Sequence, residues 1–495
     1  MPKIKADLLI TNLREVVTCD LGLNRPHRQS EMSQLNLIPN GAIGIQGENL
    51  VFVGSTETAQ KEVESSETLS SPECVVLPGF VDSHTHPVFH GSRELEFEQR
   101  IQGKSYVEIA QAGGGIRNSV RRLRQASFEE LYDSARKRLN RLLSFGVTTI
   151  EAKSGYGLSV VDEIKMLQVL QKLKAEHPLD IFPTFLGAHE FPDEYRENRE
   201  GYVQLILQEM LPEVVRQKLA VFCDVFCEDH VFTLEQSRRI LLKAKELGLE
   251  IKMHADEIKA IGGAELAAEV SAVSADHLIA VSDHGISAMI EKGVMGTLLP
   301  ATCFHLGLQK YAPARKMIEQ GLAVALATDL NPGTSMTESM PMVLTLACLQ
   351  YKMTSAEAIT ASTINGAHAV RYADRVGSLR VGKQADFVLW NIPSYRYLPY
   401  HFGVNLAQSV YKKEKKFFLK ERFSDDRSFF GSDPVLTSLG RKNIDSRRGL
   451  CGGFGWSDFS STLLDGGTIY AREKKIRRGG RNCQNIDRTF LTIDG

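Results

Sequence analysis

The stretch Leu77–Pro87, LPGFVDSHTHP, is a short apolar segment that ends in two histidines one residue apart. Its composition predicts a strand, and side chains at positions i and i+2 of a strand point to the same side. His84 and His86 can therefore direct two imidazole nitrogens at one metal ion. The same pattern is compatible with a pair of surface histidines, so ligands from elsewhere in the chain have to decide between the two interpretations.

Length and composition limit the class of protein. The chain has 495 residues, 43% of them hydrophobic and 24% charged, and a formal net charge of −1. This balance is typical of a globular protein and gives no electrostatic argument for a nucleic-acid or anionic-membrane partner. The N-terminus lacks an apolar signal core, and no apolar run approaches a membrane span. Because the eight cysteines are scattered, we expect a cytoplasmic protein, with Cys223 and Cys227 buried as small apolar residues.

Strand and helix signals alternate through the central part of the chain. Short apolar segments such as Gly146–Ile150 and Leu322–Leu326 predict strands, and amphipathic stretches such as Thr233–Leu247 predict helices between them. Such alternation indicates parallel strands with crossover helices, hence a (β/α) barrel or a doubly wound sheet.

Both flanks of this central part carry β signals. Ala6–Thr18 predicts a strand, and Gly41–Gly54 predicts a hairpin that turns near Gly47. Strand signals return at Val376–Leu379 and Asp386–Trp390. We expect the two flanks to pair in space and form one small β domain, with the barrel inserted between them.

These signals define four predicted segments. Residues 1–77 and 374–418 form the two parts of the small β domain, and residues 78–373 form the barrel. Residues 419–495 are rich in Gly, Ser, Asp and Arg, without a sustained helical or strand period. Such composition is typical of a poorly ordered tail, and the basic cluster Lys474–Arg478 within it is interpreted as a solvated charge run.

Polar residues of metal-binding type follow several predicted strands. Four later strand segments each end in such a residue: His189, His254, His277 and Asp329. A single strand-end histidine is more often structural, but their recurrence favours a shared site, because catalytic groups of a barrel lie at the carboxyl ends of its strands. Imidazole and carboxylate suit zinc or iron, and a catalytic ion keeps a position open for water, whose pKa it lowers.

Motifs in chain order resemble known proteins. The Pro78–His86 motif, the later histidines and the Thr328-Asp329 strand end resemble the amidohydrolase superfamily. Six further motifs are more specific and resemble the imidazolonepropionase family. These motifs are HTHPVF at 84–89 followed by Arg93, GGGI at 113–116, KSGYGL at 153–158, FLGAH at 185–189, HADE at 254–257 and TDLNPGT at 328–334. The resemblance extends over residues 5–415.

The resemblance implies both a fold and an activity. The fold would be of the α/β class, a (β/α)8 TIM-like barrel with a small β-sandwich domain built from both ends of the chain. The activity would be metal-dependent hydrolysis of the cyclic amide of 4-imidazolone-5-propanoate to N-formimidoyl-L-glutamate, in L-histidine degradation. The resemblance also implies one Zn2+ or Fe3+ per subunit and a homodimer.

The resemblance further implies roles for individual residues. The metal ligands would be His84, His86, His254 and Asp329. The substrate contacts would be Arg93, Tyr156, His189, Glu257 and Thr334, and the product contacts would be Asn331 and Gly333. The catalytic residues would be Glu257, His277 and Asp329. A guanidinium matches a carboxylate as a two-point fork, so Arg93 is a sensible anchor for the propionate tail.

Several alternatives stay open at this level. Either Asp329 or Glu257 would move the proton, and either His277 or His189 would polarise the ring carbonyl. The chain could also be another mononuclear-metal amidohydrolase or deaminase that acts on a small heterocycle, although Arg93 argues for a carboxylate-bearing substrate. A non-catalytic scaffold with the same fold is the third possibility, and the complete set of ligand types argues against it.

Overall fold

A computed structural model of the chain describes residues 2–104, 108, 113–413 and 415–418. The predicted tail, residues 419–495, lies outside the described residues.

Strands occur in three runs along the described chain. The N-terminal run comprises β1 (Ile4–Val17), β2 (Leu37–Gln46), β3 (Asn49–Ser55), β4 (Val63–Ser70) and β5 (Cys74–Pro78). The central run comprises β6 (Phe80–Thr85), β7 (Val147–Lys153), β8 (Asp180–Ala188), β9 (Phe222–Cys227), β10 (Glu250–Ala255), β11 (Ser274–His277), β12 (Met295–Leu298) and β13 (Val324–Leu326). The C-terminal run comprises β14 (Phe387–Asn391), β15 (Ala407–Lys412) and β16 (Lys415–Phe418).

Helices separate most of these strands. They are α1 (Thr56–Glu62), α2 (Glu94–Ile101), α3 (Ile116–Gln125), α4 (Phe128–Ser144), α5 (Val160–Glu176), α6 (Arg199–Leu205), α7 (Leu211–Arg216), α8 (Leu234–Glu246), α9 (Gly263–Glu269), α10 (Asp283–Lys292), α11 (Pro300–Leu306), α12 (Ala314–Gln320), α13 (Met340–Gln350), α14 (Ser355–Ser362), α15 (Ile364–Ala369) and α16 (Tyr397–Tyr400). Shorter 3-10 turns cover Gln29–Ser33 and Asp193–Tyr195, and Ile206–Met210 is π-helical. Over the described residues, a helix with the length and apolarity of a membrane span does not occur.

The central strands form a parallel barrel, as predicted. Neighbouring strands pair in chain order from β6 to β13. The ring closes just beyond β13, where Leu330 bridges to Thr85 and its carbonyl accepts a hydrogen bond of 2.9 Å from the amide of His86. The amide of Asp329 also donates to the carbonyl of His84 at 3.1 Å. This closure brings the end of the last strand beside the HTH motif.

Helices cover the barrel through their apolar faces. In α8, Thr233 caps the N-terminus by accepting a hydrogen bond from the amide of Gln236, which satisfies one of the helix's free N–H groups. The helix buries Ile240, Leu241 and Ala244, in keeping with the predicted helix over Thr233–Leu247. Cys223 and Cys227, on β9 under this layer, are buried free thiols, as expected.

The two ends of the chain pair in one mixed sheet, which confirms the predicted fold class. Its strand order is β16-β15-β14-β5-β1-β2-β3, and β4 also pairs with β1. β5 and β14 run antiparallel, with Leu77 opposite Val388, and join the N-terminal strands to the C-terminal strands. The hairpin of β2 and β3 turns after Gln46, as predicted. This sheet shares an apolar core with the barrel, in which Trp390 lies 5.7 Å from the ring of Phe80.

One predicted strand is wrong. Val376–Leu379 follows a series of turns and bends and belongs to neither sheet. Gly377 has a φ of +85°, outside the β region, and a Cβ on it would lie 2.7 Å from the Cβ of Ala367. The segment therefore packs its backbone against α15, and its β-branched residue fills a small core instead of joining a ladder.

Candidate metal centre and active site

The closed barrel gathers the predicted strand-end residues at one end. His84 lies in β6 and His86 directly after it, His254 lies in β10, His277 ends β11, and Asp329 follows β13. All five side chains are buried. The ring of His84 lies 4.5 Å from that of His254, 5.3 Å from that of His86 and 5.4 Å from that of His277. The cluster therefore combines residues from four strand ends, and its first and last members, His84 and Asp329, are 245 positions apart in the sequence.

Two overlapping groups of donor atoms lie close enough to hold a metal ion. His84, His86 and Asp329 each offer one atom within 4.8 Å of the others, and so do His84, His254 and His277. Oδ1 of Asp329 is 3.5 Å from Nε2 of His84 and 3.5 Å from Nε2 of His86. His277 thus lies among the candidate ligands and not only beside them.

Two buried carboxylates orient the histidines. Nδ1 of His84 lies 2.7 Å from Oδ2 of Asp276, and Nδ1 of His254 lies 3.1 Å from Oδ1 of Asp224. This pairing leaves Nε2 of each ring for another partner, and Nε2 of His84 is buried without a hydrogen bond within the described chain. A histidine that donates its other nitrogen to a carboxylate is typical of metal ligands. The donor set, imidazoles with one carboxylate, fits zinc or iron.

A buried ion network lies next to these carboxylates, and the sequence did not reveal it. Nζ of Lys153 is 2.6 Å from Oδ2 of Asp224 and 2.9 Å from Oε1 of Glu151. It is also 3.8 Å from Oδ2 of Asp276, which lies 3.7 Å from Nζ of Lys252. All of these side chains are fully buried. The sequence feature that could have indicated this network is the presence of charged residues inside otherwise apolar strands, such as VTTIEAK in β7 and FCDVFC in β9.

Burial keeps most of the imidazoles neutral. It lowers the pKa of His84, His86 and His277 well below the usual value, and nearby positive charges lower it further. Burial also acts to lower the pKa of His254, but the adjacent Asp224 carboxylate outweighs it and raises that pKa. Neutral imidazole is the form that binds metal, so His84, His86 and His277 need not lose a proton to bind a cation. At His254, whose pKa is raised, a proton competes with the metal.

The two acidic side chains of the site hold protons more tightly than usual. Burial raises the pKa of Asp329 to about 6, opposed by a hydrogen bond of 2.6 Å from the hydroxyl of Thr302. Burial, aided by the negative charge of Asp329, raises the pKa of Glu257 to about 8. Oε2 of Glu257 lies 3.6 Å from Nε2 of His277. Near neutral pH, Glu257 is therefore a potential proton donor at this end of the barrel.

His189 and Tyr156 lie beside the histidine cluster. The ring of His189 stacks on that of His86 at 5.2 Å, and Tyr156 lies 5.3 Å from His189. Burial lowers the pKa of His189 to about 3, so the ring is neutral. Nδ1 of His189 is 2.9 Å from the carbonyl of Gly155, to which it must donate. Its Nε2 is therefore a hydrogen-bond acceptor.

The loop after β13 brings the remaining predicted residues together. Oδ1 of Asn331 accepts hydrogen bonds from the amides of Gly333 at 2.8 Å and Thr334 at 2.7 Å. Arg93 packs against this loop so closely that a Cβ on Gly333 would collide with its Nη1. Asp329, at the start of the loop, has a φ of +51°. Such backbone strain outside glycine is concentrated at functional sites.

The barrel and the histidine cluster at its end are typical of metal-dependent hydrolases. Residues 75–416 match the family model described as "Amidohydrolase family", and the chain belongs to that family. Two zinc-bound structures show the same fold. One is an adenosine deaminase from Xanthomonas campestris, with a TM-score of 0.62 at 18% identity over 84% of this chain and 94% of that one. The other is the atrazine chlorohydrolase of Arthrobacter aurescens, with a TM-score of 0.58 at 16% identity over 83% and 95%.

Within that family the chain belongs to the imidazolonepropionases. It is 49% identical over 410 residues to the imidazolonepropionase of Clostridium tetani, covering 82% of this chain and 97% of that protein. It is 48% identical over 412 residues to the imidazolonepropionase of Geobacillus kaustophilus, again covering 82% and 97%. The predicted family is confirmed, the chain is a hydrolase, and family and histidine cluster together support a metal cofactor.

Proposed function

We propose that the chain hydrolyses the cyclic amide of 4-imidazolone-5-propanoate to N-formimidoyl-L-glutamate, with one Zn2+ or Fe3+ at the histidine cluster. The observation that carries the proposal is the combination of two features at one barrel end. One is a group of imidazoles and a carboxylate, in which buried acids orient His84 and His254. The other is Arg93, which suits a carboxylate tail, packed on the Asn331–Thr334 loop.

His84, His86, His254 and Asp329 would hold the ion in this proposal. His277 shares a donor group with His84 and His254, so it either completes the ligand set or stays beside it. When bound, such an ion polarises a carbonyl and lowers the pKa of bound water toward neutrality. Imidazole and carboxylate ligands serve both zinc and iron, so the identity of the ion needs metal analysis.

Two side chains are suited to the proton movements of ring opening. Hydrolysis forms a bond from the water oxygen to the ring carbonyl carbon, breaks the C–N bond and places a proton on the leaving nitrogen. Asp329, with a pKa of about 6, is mostly ionised at neutral pH and can accept a proton from water. Glu257, with a pKa of about 8, is mostly protonated and can supply one to the nitrogen.

The neutral rings would orient the substrate. Because His189 donates through Nδ1 to Gly155, its Nε2 can accept a ring N–H but cannot donate to a carbonyl. This leaves His277 as the better candidate to polarise the carbonyl, where negative charge develops. Tyr156, beside His189, would contact the substrate ring from the same side.

The proposed function is tested by following the loss of imidazolone absorbance as the ring opens. The assay compares the unsubstituted chain with Arg93→Ala and Arg117→Ala. Arg117 pairs with Asp193 in a solvent-accessible ion pair and serves as the matched control. A hydrogen-bonded charge pair contributes about 1.5–3 kcal/mol, so R93A should raise KM on the order of 10–100-fold. R117A should behave like the unsubstituted chain. Failure of the unsubstituted, metal-loaded chain to open the ring would contradict the proposal.

A homodimer also stays a prediction. Sedimentation velocity of the full chain checks it, and a monomer at micromolar concentration would contradict it.

A further inference from the structure

Glu96 holds one edge of the Arg93 guanidinium. Its Oε2 accepts a hydrogen bond of 2.8 Å from Nε of Arg93 and lies 2.7 Å from Nη2 in an ion pair. Both side chains are only 12% exposed, so water screens the pair weakly. The two residues are three positions apart at the start of α2, with Arg93 as its N-cap residue.

The same carboxylate fixes the neighbouring helix start. Oε2 of Glu96 accepts from the amide of Gly115 at 3.1 Å, and Oε1 accepts from Nδ2 of Asn118 at 3.2 Å. Gly115 is the N-cap of α3 and has a φ of +75°. α2 itself has no fully buried residue. Glu96 is therefore a point at which an otherwise exposed helix is tied to the barrel end.

The hydrogen-bond geometry leaves a defined part of the guanidinium for another partner. Arginine carries five N–H groups. Glu96 occupies the Nε–Nη2 edge, so the Nη1–Nη2 edge keeps two parallel N–H groups without a hydrogen-bond partner among the residues that the structure describes. Nη1 lies against Gly333, on the loop that follows Asp329. A carboxylate binds best to two such parallel groups.

We propose that Glu96 is a positioning residue, which turns the Nη1–Nη2 edge of Arg93 toward the carboxylate tail of the substrate. This inference rests on the proposed function. The negative charge of Glu96 also offsets the positive charge of the guanidinium, and this weakens the binding of any carboxylate to Arg93. Since the tail is retained in the product, that weakening favours product release.

Two substitutions separate orientation from charge. Glu96→Ala removes the acceptor, so Arg93 loses its orientation, and KM should rise about tenfold while kcat changes less than about threefold. Glu96→Gln keeps an oxygen acceptor without the negative charge, and Asn118 can rotate its amide to face the new NH2. E96Q should therefore have a KM equal to or below that of the unsubstituted chain. Asn118→Ala, which removes a Glu96 contact away from Arg93, is the matched control and should keep the normal KM.

A second substrate and a double substitution distinguish positioning from a general structural role. With an analogue whose propionate is replaced by the neutral amide, E96A should raise KM little. In an Arg93→Ala background, E96A should have no further effect on KM. An unchanged KM in E96A, an equal loss on both substrates, or E96Q behaving like E96A would overturn the inference. These outcomes require an active unsubstituted chain, whereas loss of the proposed function would show as no ring opening by that chain.

Discussion

Replacing Lys153 by methionine tests whether the buried ion network supports the metal site. The lysine ammonium lies 2.6 Å from Oδ2 of Asp224 and 2.9 Å from Oε1 of Glu151, and all three side chains are fully buried. Methionine has a similar length and fills the space without the charge. The substitution therefore leaves two carboxylates in the barrel without their shared cation.

The size of the effect follows from burial. Removing one partner of a buried ion pair typically costs about 3–5 kcal/mol of unfolding free energy. Asp224 keeps its contact with His254, and Glu151 keeps a hydrogen bond from Thr184, so we expect a value near the lower end. Asp224 would also take up a proton more readily and orient His254 less firmly. Loss of an orienting partner weakens metal affinity by about 10–100-fold, so the weakened contact in K153M should cost about tenfold, the lower end of that range.

Urea unfolding with and without added metal measures the first effect, and metal retained after dialysis against a chelator measures the second. Lys172→Met is the control, because Lys172 pairs with Glu176 at 2.7 Å on an exposed surface of α5. We expect the control to change stability by less than about 1 kcal/mol. A K153M protein as stable as the control, with normal metal retention, would refute the reasoning.

Two further predictions concern regions away from the metal centre. Nζ of Lys412, on β15, is buried and lies 2.6 Å from Oδ2 of Asp180 in the barrel. Lys412→Met should therefore lower the free energy of unfolding in urea by about 3 kcal/mol. An unchanged urea midpoint would contradict a stabilising role for this ion pair. Burial lowers the pKa of His177 to about 4, so the unfolded chain binds more protons below pH 6.5 and stability falls as pH decreases from there toward 4. His177→Gln should lose less melting temperature between pH 7 and pH 5 than the unsubstituted chain, and equal losses would count against the assignment.

The sequence predicted those parts of the fold and site that depend on local pattern. Side-chain alternation in a strand depends only on neighbouring residues, so His84 and His86 could be placed on one side without any knowledge of the barrel. The strand ends at His254, His277 and Asp329 followed from apolar segments that stop at a polar residue. Parallel strands place their carboxyl ends together, which made one cluster predictable.

Features that depend on register between distant strands could not be predicted. Lys153 meets Asp224 because β7 and β9 both direct a charged residue into the barrel, and neither segment alone indicates its partner. Val376–Leu379 has strand-like composition, but close packing of Gly377 on α15 overrides it. Glu96, by contrast, lies in the first turn of α2, three residues after the N-cap residue Arg93. Its pairing with Arg93 could have been predicted from the i, i+3 spacing of a helix alone.

The central claim is that the histidine cluster holds the metal on which ring opening depends. Metal content and loss of imidazolone absorbance, measured on the same samples of the unsubstituted chain and Asp329→Ala, test it most directly. Asp283→Ala, an exposed aspartate paired with Lys316, is the control. We predict one zinc or iron ion per chain and ring opening in the unsubstituted and control proteins, and loss of both in D329A without loss of fold. Full metal content together with full activity in D329A would contradict the account.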